Sequence, residues 1–371
     1  MTEYDYLIVG SGLFGATFGH EMKKNGMKCL VIEKRAHIGG NIYTEEKDGI
    51  QIHTYGPHIF HTNDYRIWSY INKFATFNRF TNSPLAVFKD KIYNLPFNMN
   101  TFNRIWGVKT PNEARDVIKE QIGEYQIKQP KNLEEKAISM VGPQLFKMFI
   151  KGYTEKQWGL SCKDLPPQII SRIPIRFDYD NNYFKDRFQG IPIGGYTQII
   201  EKMLKGIEYR VNVDFFSDLE KFNKIAKKIV YTGPIDRFFN YSRGKLDYRS
   251  LHFEHSFLEM ENFQGNAVIN YCEREIPYTR IIEHKKFDFG IQPSTVISKE
   301  FPIAYNGLNE PYYPIVNRKN KQIYNEYVQE AKKLNNVIFG GRLAEFKYYD
   351  MHQVIASALK TAKKELQFKT I

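Results

Sequence analysis

The sequence is poor in cysteine. Its 371 residues hold three, Cys29, Cys162 and Cys272, far apart and odd in number. No C-x-x-C pair occurs, which removes the usual zinc spacings and any disulfide framework. Cys29 sits in an apolar stretch and reads as a small core residue. No apolar run approaches the ~20 residues that a membrane span needs. Long basic runs are also missing, although the formal net charge is +12. Scattered lysines argue against a dedicated nucleic-acid arm, but they leave room for a basic cleft that takes an anionic small molecule. The opening MTEYDYLIVG reads as a strand and lacks a signal-peptide pattern. These absences lead us to expect a cytoplasmic globular protein with no nucleic-acid or membrane partner, long enough for two or three compact units.

What is present is glycine at telling positions. From Val9 to Lys34 the chain reads VGSGLFGATFGHEMKKNGMKCLVIEK, with Gly10, Gly12 and Gly15 spaced G-x-G-x-x-G. Tyr6 to Val9 is apolar and short, as a buried strand should be. Gly10 permits the tight turn, Gly12 lets backbone approach a pyrophosphate, and Gly15 lets a helix pack on the strand. The helix is expected over Ala16–Asn25, with Gly26 as its C-cap. A second strand, Lys28–Ile32, ends at Glu33, an acid able to accept hydrogen bonds from a ribose. A tight turn without ligand remains the alternative. The following KRAHIGGN brings Gly39 and Gly40, a second place for close backbone approach. FAD often needs such a place beyond the pyrophosphate, and NAD does not. An ordinary glycine turn would look the same.

Further along, Tyr65 to Phe74 looks helical, and PLAVFKDKIYNLP alternates about Lys89-Asp90-Lys91 as a hairpin would. Thr101 to Gly159 turns helical, with Pro111, Pro130 and Pro143 near starts or breaks. The KKIVYTGPID stretch and NNVIFGGRLAEFKYYDM each return to a strand followed by glycine, and Asp350 suits an N-cap. The fold class expected is α/β. A Rossmann-like nucleotide-binding unit is assembled from residues 1–76, 206–244 and 321–371. A helical insertion covers 100–165, and an antiparallel-sheet substrate unit covers 77–99, 166–205 and 245–320.

The strings VGSGLFGA, YGPHIFHT, NLPFNMNTF, GYTEKQWG, DNNYF, FQGNAVIN, PYTRIIEHK, EPYYP and FGGRLAEFKYYDM occur in order along nearly the whole chain. Together they resemble the bacterial UDP-galactopyranose mutases. The resemblance implies FAD, active when reduced, and a UDP-sugar substrate. The implied reaction interconverts UDP-galactopyranose and UDP-galactofuranose for cell-surface polysaccharide synthesis. Flavin N5 would attack the anomeric carbon and displace UDP, a covalent catalysis carried by the cofactor. An external reductant such as NAD(P)H would prime the flavin, and the protein would be a homodimer.

The resemblance also assigns residues. Arg172 and Arg280 become diphosphate clamps, with Arg172 on a loop that closes over substrate; a guanidinium suits this because it binds phosphate oxygens in pairs. Tyr313 and Tyr348 become hydroxyl contacts to the diphosphate. Tyr183 stacks on uracil, and Trp158 sits in the sugar–diphosphate cleft. Asn82, Phe149, Thr154 and Asn270 join the substrate set. His58 lies beside the isoalloxazine. With it, Gly10, Gly12, Phe14, Gly15, Glu33, Lys34, Gly40, Asn41, Ile59, Val213, Arg342, Tyr349, Asp350 and Met351 form the cofactor set. His58 and His61 find no evident third ligand in the sequence, so no metal is expected.

Three other readings stay open. An FAD-dependent oxidase or dehydrogenase would share the glycine motifs but leaves the paired Arg and Tyr strings unexplained. A relative acting on UDP-N-acetylgalactosamine, or on both sugars, would differ in the pocket near C2; His58 leans towards the plain galactose enzymes. A binding protein that has lost flavin would not be yellow.

Overall fold

The computed structural model describes residues 2–367, and the side chains of Ser171 and Arg172 fall outside the described set. Among the described residues, strands gather into a five-stranded sheet, a seven-stranded sheet and two two-stranded sheets.

The five-stranded sheet runs Val337–Phe339, Ala226–Tyr231, Tyr4–Val9, Cys29–Ile32, Glu208–Arg210 in spatial order. Every pairing in it is parallel. Both faces are covered, so its inner strands carry apolar runs, Tyr6–Val9, Cys29–Ile32 and Ile229–Tyr231. Tyr6, Ile8, Cys29 and Val31 face one core, and Leu7, Leu30 and Ile32 face another. Helix Leu13–Lys24 follows the first strand and packs against the last helix, Met351–Gln367. The first helix ends one turn-residue earlier than the sequence suggests: Asn25 is the cap, and Gly26 follows with φ +77°.

Gly15 holds this helix on its strand. A Cβ added there would lie 2.1 Å from the Gly10 carbonyl oxygen. Nothing lies within 4 Å of a Cβ added at Gly12. Gly15→Ala should therefore cost about 1–3 kcal/mol of stability. Gly12→Ala should stay within about 0.5 kcal/mol of the parent. Urea unfolding of flavin-stripped protein measures both, and equal costs would contradict the packing described.

The seven-stranded sheet runs Tyr313–Pro314, Tyr248–Leu258, Thr295–Ala304, Arg280–Glu283, Val268–Tyr271, Leu85–Phe88, Lys91–Asn94. The sequence predicts an antiparallel sheet, and the pairing of Val268–Tyr271 with Leu85–Phe88 is parallel instead. These two strands come from distant segments, so no hairpin dictates their sense. The Leu85–Asn94 hairpin turns at Lys89 and Asp90, both at positive φ (49° and 58°), as a twisted two-residue turn requires. Lys91 already belongs to the second strand.

The helical region holds Met99–Trp106, Pro111–Gly123, Leu133–Leu145, a π-helical turn Phe146–Lys151, and Gly152–Trp158. Asn98, Thr110 and Asn132 cap the first three through their side chains. Pro111 occupies a helix start, and Pro143 follows a break at Gly142. Ala86 and Tyr93 of the large sheet, with Phe97 and Cys272 just beyond its strand ends, share this region's core, so helices and sheet bury one surface together.

A line of histidines, with His53 and His284 fully buried, joins four segments. The His53 backbone N–H donates to His284 Nδ1 at 3.1 Å, and the His58 backbone N–H donates to His53 Nδ1 at 3.2 Å. Ser298 Oγ lies 2.5 Å from His284 Nε2 and 2.6 Å from His255 Nδ1. Burial pushes His284 down to about 3 and His58 down to about 4, from an ordinary value of 6.5. His53 is also held well below that value by burial, with His284 adding to it. Above pH 6.5 these rings are neutral in both folded and unfolded chains. Below it the unfolded chain takes up protons that the folded chain refuses. Stability should therefore fall as pH drops from 6.5 towards 4. Denaturant midpoints at pH 7 and pH 5 test this, and His284→Gln should flatten part of the slope.

Candidate functional site

Two adjoining cavities, of about 230 and 400 Å³, share Asn41, His58, Arg342 and Met351 in their walls. The smaller opens over the carboxyl ends of the parallel strands, where ligands of such sheets sit. Gly10, Gly12, Gly15, Gly39, Gly40 and Gly341 line it. Gly10 has φ +104°, and a Cβ at Gly40 would stand 3.1 Å from Gly12 Cα. The two glycine turns thus face each other, leaving bare backbone and the start of helix Leu13–Lys24 towards the space. That cradle fits a dinucleotide pyrophosphate.

Glu33 is 6% exposed and accepts from the Ser11 N–H and Oγ–H at 2.9 and 2.8 Å, and from the Arg35 N–H at 3.1 Å. Ser11 Oγ also receives the Gly39 N–H at 3.2 Å. The carboxylate therefore ties both glycine turns together, a duty the sequence does not announce. Val213 donates its N–H to the Glu33 carbonyl at 2.9 Å and lines the cavity with Phe14. Lys34 lines it too, paired with Glu310 at 2.7 Å.

The larger cavity is walled by Asn82, Phe149, Tyr183, Asn270, Arg280, Tyr313, Tyr348 and Asp350, with Ile59 beside His58. Arg280 starts the strand paired with Val268–Tyr271, directly across from Asn270. Its Nε donates to Glu300 Oε1 at 3.0 Å, and Glu300 is 1% exposed. Burial opposes the Arg280 charge, but Glu300 outweighs it and holds the guanidinium above its ordinary value. Tyr313 and Tyr348 stack at 5.1 Å, with the Arg342 guanidinium 5.7 Å from each ring. Arg342 also donates to the Tyr349 carbonyl at 2.9 Å. Burial, then Arg342, lowers His58, so its ring is neutral at pH 7; Nδ1 lies 2.7 Å from the Gly56 carbonyl and carries the proton.

Several expected residues stand elsewhere. Thr154 is buried and Trp158 packs on the core of the helical region; neither lines a cavity. Both belong to helix Gly152–Trp158, whose cavity-facing residue is Tyr153. Tyr349 lines neither cavity; its carbonyl and hydroxyl serve Arg342 and Lys347. Arg172 ends a 3₁₀ turn, Pro167–Arg172, beside the cavity-lining Ile173. Its side chain lies outside the described residues.

Sequence reasoning also missed residues. Glu300 lies on an inward position of Thr295–Ala304, in step with Val296 and Ser298. An acid on the buried face of a strand signals a buried cation, and that signal points to Arg280. A group of possible ligand residues also appears around His61, and His58 is not part of it. Asp350 and His352 stand beside His61, with potential ligand atoms within 4.8 Å of one another. His61 is engaged by Asp186 and stacks on Phe184 at 3.8 Å.

Comparison with known proteins agrees with this geometry. A model of the UDP-galactopyranose mutase family matches residues 148–348, and one of NAD(P)-binding Rossmann-like domains matches 8–74. The chain is 39% identical to an Escherichia coli dTDP-fucopyranose mutase, over 96% of this chain and 97% of that one. It is 38% identical to a probable UDP-galactopyranose mutase of Klebsiella pneumoniae, over 98% and 94%. A crystal structure of reduced UDP-galactopyranose mutase superposes with a TM-score of 0.76 at 13% identity, covering 98% of this chain and 96% of that one. That likeness speaks for the fold. No helix among the described residues is long and apolar enough to cross a membrane. The family model and the end-to-end relatives together make this chain a member of the UDP-galactopyranose mutase family, flavin-dependent isomerases whose cofactor is FAD.

Proposed function

We propose that the protein interconverts UDP-galactopyranose and UDP-galactofuranose, with FAD along the smaller cavity and the nucleotide sugar in the larger. The observation that carries this reading is the shared wall of His58, Asn41, Arg342 and Met351, which lets two ligands meet end to end. Reduced flavin supplies a nucleophilic N5 for the anomeric carbon. The chain's own part is to hold, orient and shield.

In this reading Arg280 takes the diphosphate, fixed by Glu300 and helped by the Tyr313 and Tyr348 hydroxyls. Tyr183 supports the uracil face, with Asn82, Phe149 and Asn270 around it. His58 presents a neutral ring at the junction. The ring proton sits on Nδ1, bonded to Gly56, so Nε2 is left as an acceptor. Gly10, Gly12, Gly15, Gly40 and Glu33 hold the cofactor's pyrophosphate and adenosine end.

The relative that acts on a dTDP-fucose sugar is as similar as the UDP-galactose one, so the substrate test uses both. Dithionite-reduced protein is incubated with UDP-galactofuranose or dTDP-fucofuranose, and products are separated chromatographically. Conversion of the first to its pyranose, faster than the second, is expected. The reverse preference overturns the sugar assignment. Oxidised protein in air should be inactive, and reductant should be needed to prime activity but not once per product. Stoichiometric consumption of reductant would instead indicate an oxidoreductase.

Arg280 gives a sharper test. Arg280→Ala would strand the buried Glu300 charge and should cost roughly 3–5 kcal/mol of stability besides activity. Arg280→Lys keeps the charge but loses the guanidinium fork. It should retain flavin and lose turnover by roughly ten- to a hundredfold, the worth of a charge-assisted contact. Steady-state assays with flavin absorbance separate the two effects.

A further inference from the structure

Helix Gly152–Trp158 does more than cover the cavity. Its Lys156 ammonium reaches the loop between Val268–Tyr271 and Arg280–Glu283 and meets four backbone carbonyls there. Nζ lies 2.9 Å from the Tyr271 and Glu273 oxygens and 2.8 Å from the Ile276 and Tyr278 oxygens. A charged amine has three protons to share among them, and no uncharged side chain offers three donors from one atom.

The helix sits directly on that loop. A Cβ at Gly152 would stand 2.5 Å from the Cys272 carbonyl oxygen and 3.0 Å from the Arg274 nitrogen. Glu155 reaches Arg274 at 3.6 Å across the same contact. The loop leads out of Asn270 and into Arg280, partners in register that both line the larger cavity. Four carbonyls gathered round one point repel one another, so the loop keeps this shape only while a cation sits among them.

We propose that Lys156 is a positioning residue for the nucleotide-sugar site: its ammonium gathers the 271–278 carbonyls and so fixes the spacing of Asn270 and Arg280. The proposal rests on reading the larger cavity as that site. It accounts for the GYTEKQWG stretch differently from a direct ligand role, since Thr154 and Trp158 stay out of the cavity while Lys156 acts on its wall.

The test uses flavin-loaded enzyme and two variants. Lys156→Met keeps the stem and removes the charge. Hydrogen exchange of the 271–279 amides should quicken by roughly tenfold or more, and UDP affinity should fall by a similar factor, the scale of one lost charge-assisted contact. Flavin content should not change. Lys156→Ala leaves room for a small cation, so ammonium chloride should restore slow exchange and UDP binding, while tetramethylammonium chloride, too large for the cage, should not. Wild-type exchange and UDP affinity in Lys156→Met would overturn the proposal. So would a Lys156→Ala protein that ammonium cannot restore, including one that has lost flavin and fold together. If wild-type enzyme fails to bind UDP, the reading of the cavity falls, and the exchange measurements still decide the part played by Lys156.

Discussion

The site hangs on one buried ion pair. Glu300 is almost fully enclosed in the large sheet, and an unpaired carboxylate there would be untenable. Arg280 answers it through Nε, and the Thr279 hydroxyl donates to the same oxygen at 2.8 Å. Among the described residues, the terminal nitrogens of Arg280 hold no hydrogen bond, so the fork is held rigidly yet kept available to the cavity. The pair also explains why a cation can be kept at this depth. Its partner is anchored in a central strand rather than on a loop, so little side-chain freedom remains to be lost when a ligand arrives.

The cofactor side rests on a different constraint, the close approach of backbone. Gly10, Gly15 and Gly40 stand where any side chain would collide with a neighbouring main chain or need a left-handed φ. Glu33 then joins the two turns through Ser11. A ligand held by main-chain N–H groups needs those groups to stay still, and this carboxylate is what couples them. Lys34 and Arg35 extend the same idea outward by sharing Glu310, next to the cavity-lining Pro311. The nucleotide-binding sheet and the large sheet are thereby tied at the edge of the site.

What the sequence discloses follows the range of the interaction. The glycine turns, the strand before them and the helix caps are local, so their residue types alone suggest the structure. The family resemblance singled out Arg280, Tyr313, Tyr348, Asn82 and Asn270, all of which the fold gathers on one cavity. Thr154 and Trp158 share a string with cavity neighbours, but helical geometry turns them to other faces while Tyr153 takes the wall. Glu300 and Lys156 were not legible because their meaning lies across the sheet and across a loop. Neither partner is near in sequence, and each looks like one more charged residue in a charged chain. The parallel pairing of Leu85–Phe88 was hidden for the same reason.

Charge brings these threads together. The excess of +12 is spread over the surface, where water and salt screen it. The cavity is different, since Arg280 and Arg342 face a space partly walled off from water by Phe149, Phe97, Tyr312 and Tyr313. Of the acids on its wall, Glu300 is engaged by Arg280 and Asp350 stands beside His61 and His352. A field of that sign, in a low-dielectric setting, favours an anion over any neutral sugar. The depressed His58 belongs to the same balance. With Arg342 so near, a proton on its second nitrogen would add another positive charge at the junction, and burial forbids it. The junction thus keeps a polar, uncharged group where the ligands of the two cavities would meet, and leaves the cationic grip to the arginines on either side.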